Sequence, residues 1–310
     1  MRLVIALGGN ALLRRGEPMT ADVQRANVRR AAQALAPVVL RHQVVITHGN
    51  GPQIGLLALQ QLSNAAPDPF PLDILGAQTE GMIGYLIEQE LDNVLPPGKL
   101  VASLLTRVLV DRHDPAFDNP TKFVGPSYDR AKADELARRQ EGWSFRQDGT
   151  KWRRVVSSPN PMAIREARII SLLVEQDVTV ICAGGGGIPV IQQADGSEIG
   201  VEAVVDKDRA SALLARLIGA DGLVMLTDVA AVALDFGKPA ARAIRHATPG
   251  MLAEYSFPAG SMGPKVEAAC GFVKDTGGFA AIGALEEIAA ILDGKAGTRI
   301  DHAAETLAVG

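Results

Sequence analysis

The chain has 310 residues, enough to bury a large core and close to the size at which single cores stop growing, so one large domain with an insertion is expected. It is 47% apolar, 21% charged and only 4% aromatic, with 32 Gly, which favours an α/β enzyme over a β-sandwich. A formal net charge of −4 without a basic domain argues against a generic nucleic-acid binder. Cys182 and Cys270 are too few for a disulfide framework and suit a reducing compartment. The apolar run Leu3–Leu7 is too short for a signal core or a membrane span. These features together point to a cytoplasmic protein that engages neither nucleic acid nor membrane.

In chain order, residues 2–7 read as a buried strand ending in Gly8-Gly9-Asn10. Thr20 is a good N-cap for a helix running to about Leu40, with Asp22 in its first turn and Pro37 as a possible kink. Residues 43–47 form the next strand and run into His48-Gly49-Asn50-Gly51-Pro52, where Gly51-Pro52 opens a helix. A helix over 79–92 and a strand over 100–106 continue the alternation, which implies a mostly parallel sheet.

The texture changes at Asp111. Residues 111–156 are rich in Pro, Asp, Lys and Arg and hold both tryptophans, and 143–155 reads as a β-hairpin turning at Asp148-Gly149. A polar segment of this length inside an α/β domain is an insertion at the sheet rim, either a lid or plain decoration. Alternation then resumes: helix 161–176, strand 178–183 ending in Gly184-Gly185-Gly186-Gly187, helix 207–218, strand 223–226, helix 264–274 and a short strand 280–282. Counting apolar runs gives about eight strands.

Three strands thus end in glycine knots, where bare backbone N–H groups can approach anions. Two lysines stand at helix starts: Lys207, after the N-cap candidate Asp206, and Lys265, after Pro264. A lysine there opposes the helix dipole by about 0.3–1 kcal/mol, and a bound anion reverses the sign. The plain alternatives are that Lys265 points into water and that flanking aspartates neutralise Lys207. Asp208 either orients a lysine or stabilises its own helix. Asp228, at a strand's carboxyl end, holds Mg²⁺ or a ribose, or caps the next turn. Alone, Lys122 reads as a surface lysine and His48 as a structural hydrogen bonder. The GxxxxGK[ST], GxSxG and HExxH patterns are absent, and Gly49-Asn50-Gly51 lacks the GxGxxG spacing. Anion-holding loops and lysines without an evident nucleophile–base pair suggest phosphoryl transfer, which needs positioning and charge neutralisation.

Gly8-Gly9-Asn10-Ala11-Leu12, His48–Gln53, Gly81–Tyr85, Gly184–Pro189, Glu202–Asp208 and Gly260–Glu267 together resemble the carbamate kinase branch of the amino acid kinase family, over nearly the whole chain and in order. The resemblance implies a three-layer αβα sandwich, with residues 111–156 as a protruding subdomain, and a homodimer. It implies reversible phosphoryl transfer between ATP and carbamate, giving ADP and carbamoyl phosphate, with Mg²⁺ held mainly by the phosphates and no resident metal site. By the same resemblance Gly8, Gly9, Asn10, Gly49, Asn50 and Gly51 hold the carbamate or the phosphoryl group in flight. Lys122, Lys207 and Lys265 neutralise phosphoryl oxygens, and Asp208 orients lysines. Gly184, Gly185, Gly186, Thr227, Asp228 and Met262, with Lys207 and Lys265, lie along the nucleotide. Ala230 and Ala233 stand where the family has an acid and a Tyr, and Phe123 where it has Pro. Another small acceptor, or a non-catalytic nucleotide or carbamoyl-phosphate sensor, are the competing readings.

Overall fold

The computed structural model describes residues 1–14, 16–63, 70–140, 142–258 and 261–310. The first part of the chain alternates: β1 (Arg2–Leu7), the short α1 (Gly9–Leu12), α2 (Ala21–Val39), β2 (Gln43–His48), α3 (Gly51–Ser63), α4 (Leu72–Asp92) and β3 (Val101–Ser103). Next come β4 (Arg107–Val110), β5 (Lys122–Tyr128), α5 (Arg130–Arg139), β6 (Ser144–Asp148), β7 (Lys151–Val156) and β8 (Pro161–Ile164). Alternation resumes with α6 (Ala167–Glu175), β9 (Thr179–Ile181), β10 (Ile188–Gln192), β11 (Glu198–Gly200), α7 (Lys207–Leu217), β12 (Gly222–Thr227), β13 (Ala233–Leu234) and β14 (Arg242–Ala247). The chain closes with α8 (Pro249–Leu252), α9 (Met262–Thr276), β15 (Phe279–Ala284), α10 (Ile288–Leu292), β16 (Thr298–Ile300) and β17 (Ala308–Val309).

The main sheet has ten strands in the order β13-β14-β16-β15-β12-β1-β2-β9-β3, with β17 added on β14. From β15 to β3 every neighbouring pair is parallel. β1 sits at the middle of this run with β2 on one side and β12 on the other, and the chain reverses its direction of travel across the sheet there. Such a switch point opens a crevice beyond the strands' carboxyl ends.

Strand periodicity explains the layers. Along β1, Val4 and Ala6 pack with α7 and α9 through Leu213, Leu214, Ala269 and Phe272. Leu3, Ile5 and Leu7 point the other way, toward Val28, Leu35 and Ile83 of α2 and α4. These five of the six β1 side chains are buried, as a central strand covered on both faces requires. The result is a helix–sheet–helix sandwich, the fold class expected.

A four-stranded sheet, β11-β10-β4-β8, and a three-stranded sheet, β5-β7-β6, stand beside the main one. The hairpin of β6 and β7 pairs Asp148 with Lys151, and Gly149 turns at φ +63°. β5 and β7 rest on the body through Val124 and Val156, which pack with Ile54, Leu72 and Val204.

Four expectations shift in detail. The helix expected over 161–176 is a strand, β8, followed by a shorter helix from Ala167; Pro161 opens an extended segment that pairs with β4. The strand expected over 100–106 ends at Ser103, since Thr106 turns inward and lies fully buried. The helix expected from 79 begins at Leu72. The main sheet exceeds the count of apolar runs because β14 (RAIRHA) and β16 (TRI) carry few apolar residues.

Candidate active site

The carboxyl ends of β1, β12 and β2 meet in backbone-to-backbone contact. Gly8 N donates to Leu226 O at 2.8 Å and Gly49 N to Leu7 O at 3.0 Å. A Cβ on Gly8 would stand 2.8 Å from Leu226 O, and one on Gly49 would stand 3.0 Å from Gly9 N. Only glycine permits two turns this close. Asn10 lies in α1, and its side chain is outside what the structure describes, as is Gly260.

Beyond these turns α3, α7 and α9 begin at Gly51, Lys207 and Met262, so three helix N-termini bring positive dipole ends to this side of the sheet. Asp206 caps α7, accepting from Asp208 N at 2.9 Å and Arg209 N at 3.3 Å. Its other oxygen accepts from Lys122 Nζ at 2.5 Å, which ties the base of β5 to the start of α7. Burial works to raise the Asp206 carboxyl, but the Lys122 ammonium and the N–H bond from Arg209 together hold the group below its ordinary value.

Asp208 is the centre of charge. Its Oδ1 accepts from Lys207 Nζ at 2.6 Å and its Oδ2 from Lys265 Nζ at 2.8 Å. The carboxylate is buried, and the lysine side chains are only 12% and 16% exposed. Burial opposes ionisation of Asp208, yet the two ammonium groups dominate and drive it far below the carboxylate range. Burial lowers Lys207, with Asp208 pulling the other way and Lys265 adding to the depression. The pair of lysines is thus presented on a rigid, ionised anchor.

A cavity of about 450 Å³ opens beside Lys265. It is lined on the glycine-turn side by Gly8, Gly9 and Pro52, by Thr227, which ends β12, and by Asp228, which follows it. Its apolar end is lined by Val229, Ala233, Phe236, Phe257 and Met262. Ala233 therefore faces the cavity. Phe236 is 66% exposed there, and Arg153 covers the ring of Phe123 at 5.3 Å.

The structure does not bring Gly184, Gly185 and Gly186, for which the resemblance implied a place along the nucleotide, into the lining of this cavity. These three residues are buried. A Cβ on Gly184 would overlap the His48 ring, one on Gly185 the Asn50 amide, and one on Gly186 the Val205 carbonyl. The run is a floor under the His48–Gly51 turn. His48 is fully buried, its Nδ1 faces Gly49 O at 3.2 Å, and burial pushes its pKa down to about 4. Asn50 donates to Thr79 Oγ1 at 2.9 Å.

Glu80 is the main residue that sequence reasoning missed. It is 3% exposed, accepts from Gly184 N at 2.8 Å and Thr106 N at 3.2 Å, and is raised by burial to about 8 against the pull of those N–H groups. A signal existed: Leu72, Leu75, Gly76, Thr79, Glu80, Ile83 and Ile87 fall on one buried face of α4, where an acid needs a partner. Among the described residues, no group of three or more His, Cys, Asp or Glu gathers as a metal site.

A switch-point crevice carrying two glycine turns, with three braced lysines and a cavity of about 450 Å³ beside it, defines an α/β protein built to hold several anionic groups together. Residues 1–280 match the model of the Amino acid kinase family, and the chain belongs to that family. It is 60% identical over 303 residues to the carbamate kinase of Rhizobium meliloti (strain 1021), covering 97% of this chain and 93% of that one. It is 53% identical over 305 residues to the carbamate kinase of Haemophilus influenzae, covering 98% of each. Among solved structures, carbamate kinase from Giardia lamblia bound to AMP-PNP aligns with a TM-score of 0.89 at 40% identity, covering 97% of this chain and 98% of that one.

Proposed function

We propose that the chain is a carbamate kinase, catalysing ATP + carbamate ⇌ ADP + carbamoyl phosphate. The observation that carries this reading is the buried Asp208 carboxylate, which holds Lys207 at one oxygen and, at the other, Lys265, a residue that lines the cavity. In the forward direction a carbamate oxygen attacks the γ-phosphorus, the bond to the β–γ bridging oxygen breaks, and ADP leaves. Carbamate is already an anion, so no general base is needed. Asp208 is not one in any case, because a carboxylate between two ammonium groups is a very weak base. Lys207 and Lys265 neutralise the oxygens of the phosphoryl group in flight, which is where charge stabilisation counts most.

The turns at Gly8-Gly9-Asn10 and Gly49-Asn50-Gly51 hold the small acceptor with backbone N–H groups, leaving little room for an acceptor with a side chain. Thr227, Asp228 and Met262 lie along the nucleotide, whose base enters the apolar end of the cavity. Mg²⁺ bound with the nucleotide would supply further charge neutralisation at its phosphates. The three-stranded unit of β5, β6 and β7 acts as a lid that carries Lys122. Its ion pair with Asp206 at 2.5 Å supports that role.

A second copy of the chain packs on α4. Ile74, Met82 and Tyr85 lie on one side of this helix, 41%, 38% and 51% exposed, and Leu105 continues the apolar surface beside Gly81. Such a patch favours a homodimer. No helix among the described residues is long and apolar enough to cross a membrane, and the substrates place the enzyme in the cytoplasm.

The direct test is ATP formation from ADP, carbamoyl phosphate and Mg²⁺, read by a coupled assay. ATP produced in proportion to enzyme is expected. A rate equal to the blank at millimolar substrate would remove the proposal, and nucleotide binding without turnover would favour a sensor.

A further inference from the structure

The acceptor turn His48–Gly51 stands on a foundation that the reaction itself does not explain. Two consecutive residues of α4 reach it. Thr79 Oγ1 accepts from Asn50 Nδ2 at 2.9 Å while donating within its own helix toward Leu75 O and Gly76 O. Glu80 accepts at one oxygen from Gly184 N and at the other from Thr106 N. Thr106 Oγ1 in turn accepts from Ala183 N at 2.9 Å. A buried carboxyl group given two backbone donors is a costly arrangement unless it holds something in place.

What it holds is a segment under strain. Ala183, Gly185, Gly186 and Gly187 have φ of +49°, +68°, +100° and +83°, and a left-handed alanine persists only where its surroundings enforce it. This segment contacts His48 and Asn50 with no room for even a Cβ between them. A shift of the glycine run by the width of a methyl group therefore moves Asn50, and with it the turn between Gly49 and Gly51.

We propose that Thr79 and Glu80 are positioning residues for the acceptor: through Asn50 and through the Ala183–Gly187 segment they set the backbone that grips the carbamoyl group. The inference rests on the carbamate kinase reading. Neither residue lines the nucleotide cavity, so their loss acts on one substrate and not on the other. Displacements of about 1 Å away from the chemistry can cost on the order of 100-fold in rate.

The test is steady-state kinetics of ATP formation by the full chain, with ADP affinity from calorimetry. In Glu80→Gln one face of the amide must turn a donor toward a backbone N–H. Its kcat is expected to fall by about 10- to 100-fold and KM for carbamoyl phosphate to rise, with ADP affinity within about twofold of wild type. Thr79→Val and Thr106→Val, which keep side-chain shape, are expected to move the same parameters in the same direction. They also carry the test if Glu80→Gln does not fold. Wild-type kinetics in the two threonine variants, or equal losses for both substrates, would overturn the inference. An inactive wild type instead removes the functional reading, and this inference with it, whereas an active wild type matched by its variants removes this inference alone.

Discussion

Lys265 Nζ lies 2.8 Å from Asp208 Oδ2, although 57 residues separate the two in sequence. The other oxygen of the same carboxylate holds Lys207. One buried anion therefore fixes the spacing of two cations, and that spacing decides what a phosphoryl group meets. A lysine left alone at a helix start would search rotamers and repel its neighbour.

Replacing Asp208 by Asn tests this. The amide offers one acceptor and turns a donor toward the second ammonium, leaving a buried charge without its partner. Turnover should drop by roughly 100-fold or more, and the fold should lose about 3–5 kcal/mol, the usual cost of breaking a buried pair. Lys265→Ala should lower kcat far more than it weakens ADP binding. Equal losses in both would mean that Lys265 serves binding alone.

Gly185→Ala addresses the glycine floor. The new methyl would overlap the Asn50 amide, at a residue whose φ is +68°. Strain and overpacking each cost about 1–3 kcal/mol, so thermal stability and turnover should both fall. Retained activity with a normal melting temperature would show that Asn50 is not anchored on this run. Gly294→Ala is the control, with a φ of +72° and no atom near its Cβ; it should cost stability without the loss of turnover.

How much of this was open to sequence reading depends on the kind of signal. β1 and β2 were legible because an uninterrupted apolar run cut off by Gly8-Gly9 or Gly49 has one structural meaning. The Asp206 cap was legible because capping is local. The residues alone left Asp208 between orienting a lysine and stabilising its own helix, and only the family resemblance pointed to its hold on more than one lysine, since residue type reveals a helix start but not which starts converge. The third glycine run was ambiguous for a related reason. Glycines look alike in sequence whether they face a ligand or, as here, the side chains of His48 and Asn50. Glu80 escaped because helical pattern marks a buried position without naming the backbone N–H groups that wait for it.

Gly55 meets Gly125 with no space between their backbones, and a Cβ on Gly55 would overlap the Gly125 Cα. This contact joins α3 to β5, the strand that carries Lys122. Gly55→Ala should push the base of β5 away and loosen the pairing of Lys122 with Asp206. A fall in kcat of about tenfold with ADP affinity retained is expected. Unchanged kcat would show that the seat of β5 does not govern Lys122.

Phe236 presents an exposed ring to the apolar end of the cavity, where Ala233 leaves open space. An aromatic partner contributes about 0.5–1.5 kcal/mol beyond burial. Phe236→Ala should therefore raise KM for ADP several-fold and leave kcat near wild type. No change in KM would place the base elsewhere in the cavity.

The pH dependence of stability follows from two buried groups with opposite signs. His48 is held near 4 against an ordinary 6.5, so its contribution is complete above 6.5 and is lost as the pH falls toward 4. Glu80 is held near 8 against an ordinary 4.5. The folded state then binds the extra proton, and this contribution is complete below 4.5 and lost as the pH rises through 8. Between 4.5 and 6.5 the two slopes offset each other. From 6.5 to 8 only Glu80 acts, and stability should decline by about 2 kcal/mol. Denaturant midpoints measured across this range should fall for the wild type and stay level for Glu80→Gln. An identical slope in the two proteins would mean that another group takes up the proton, and the two backbone N–H bonds to Glu80 would then be made to a carboxylate ionised throughout.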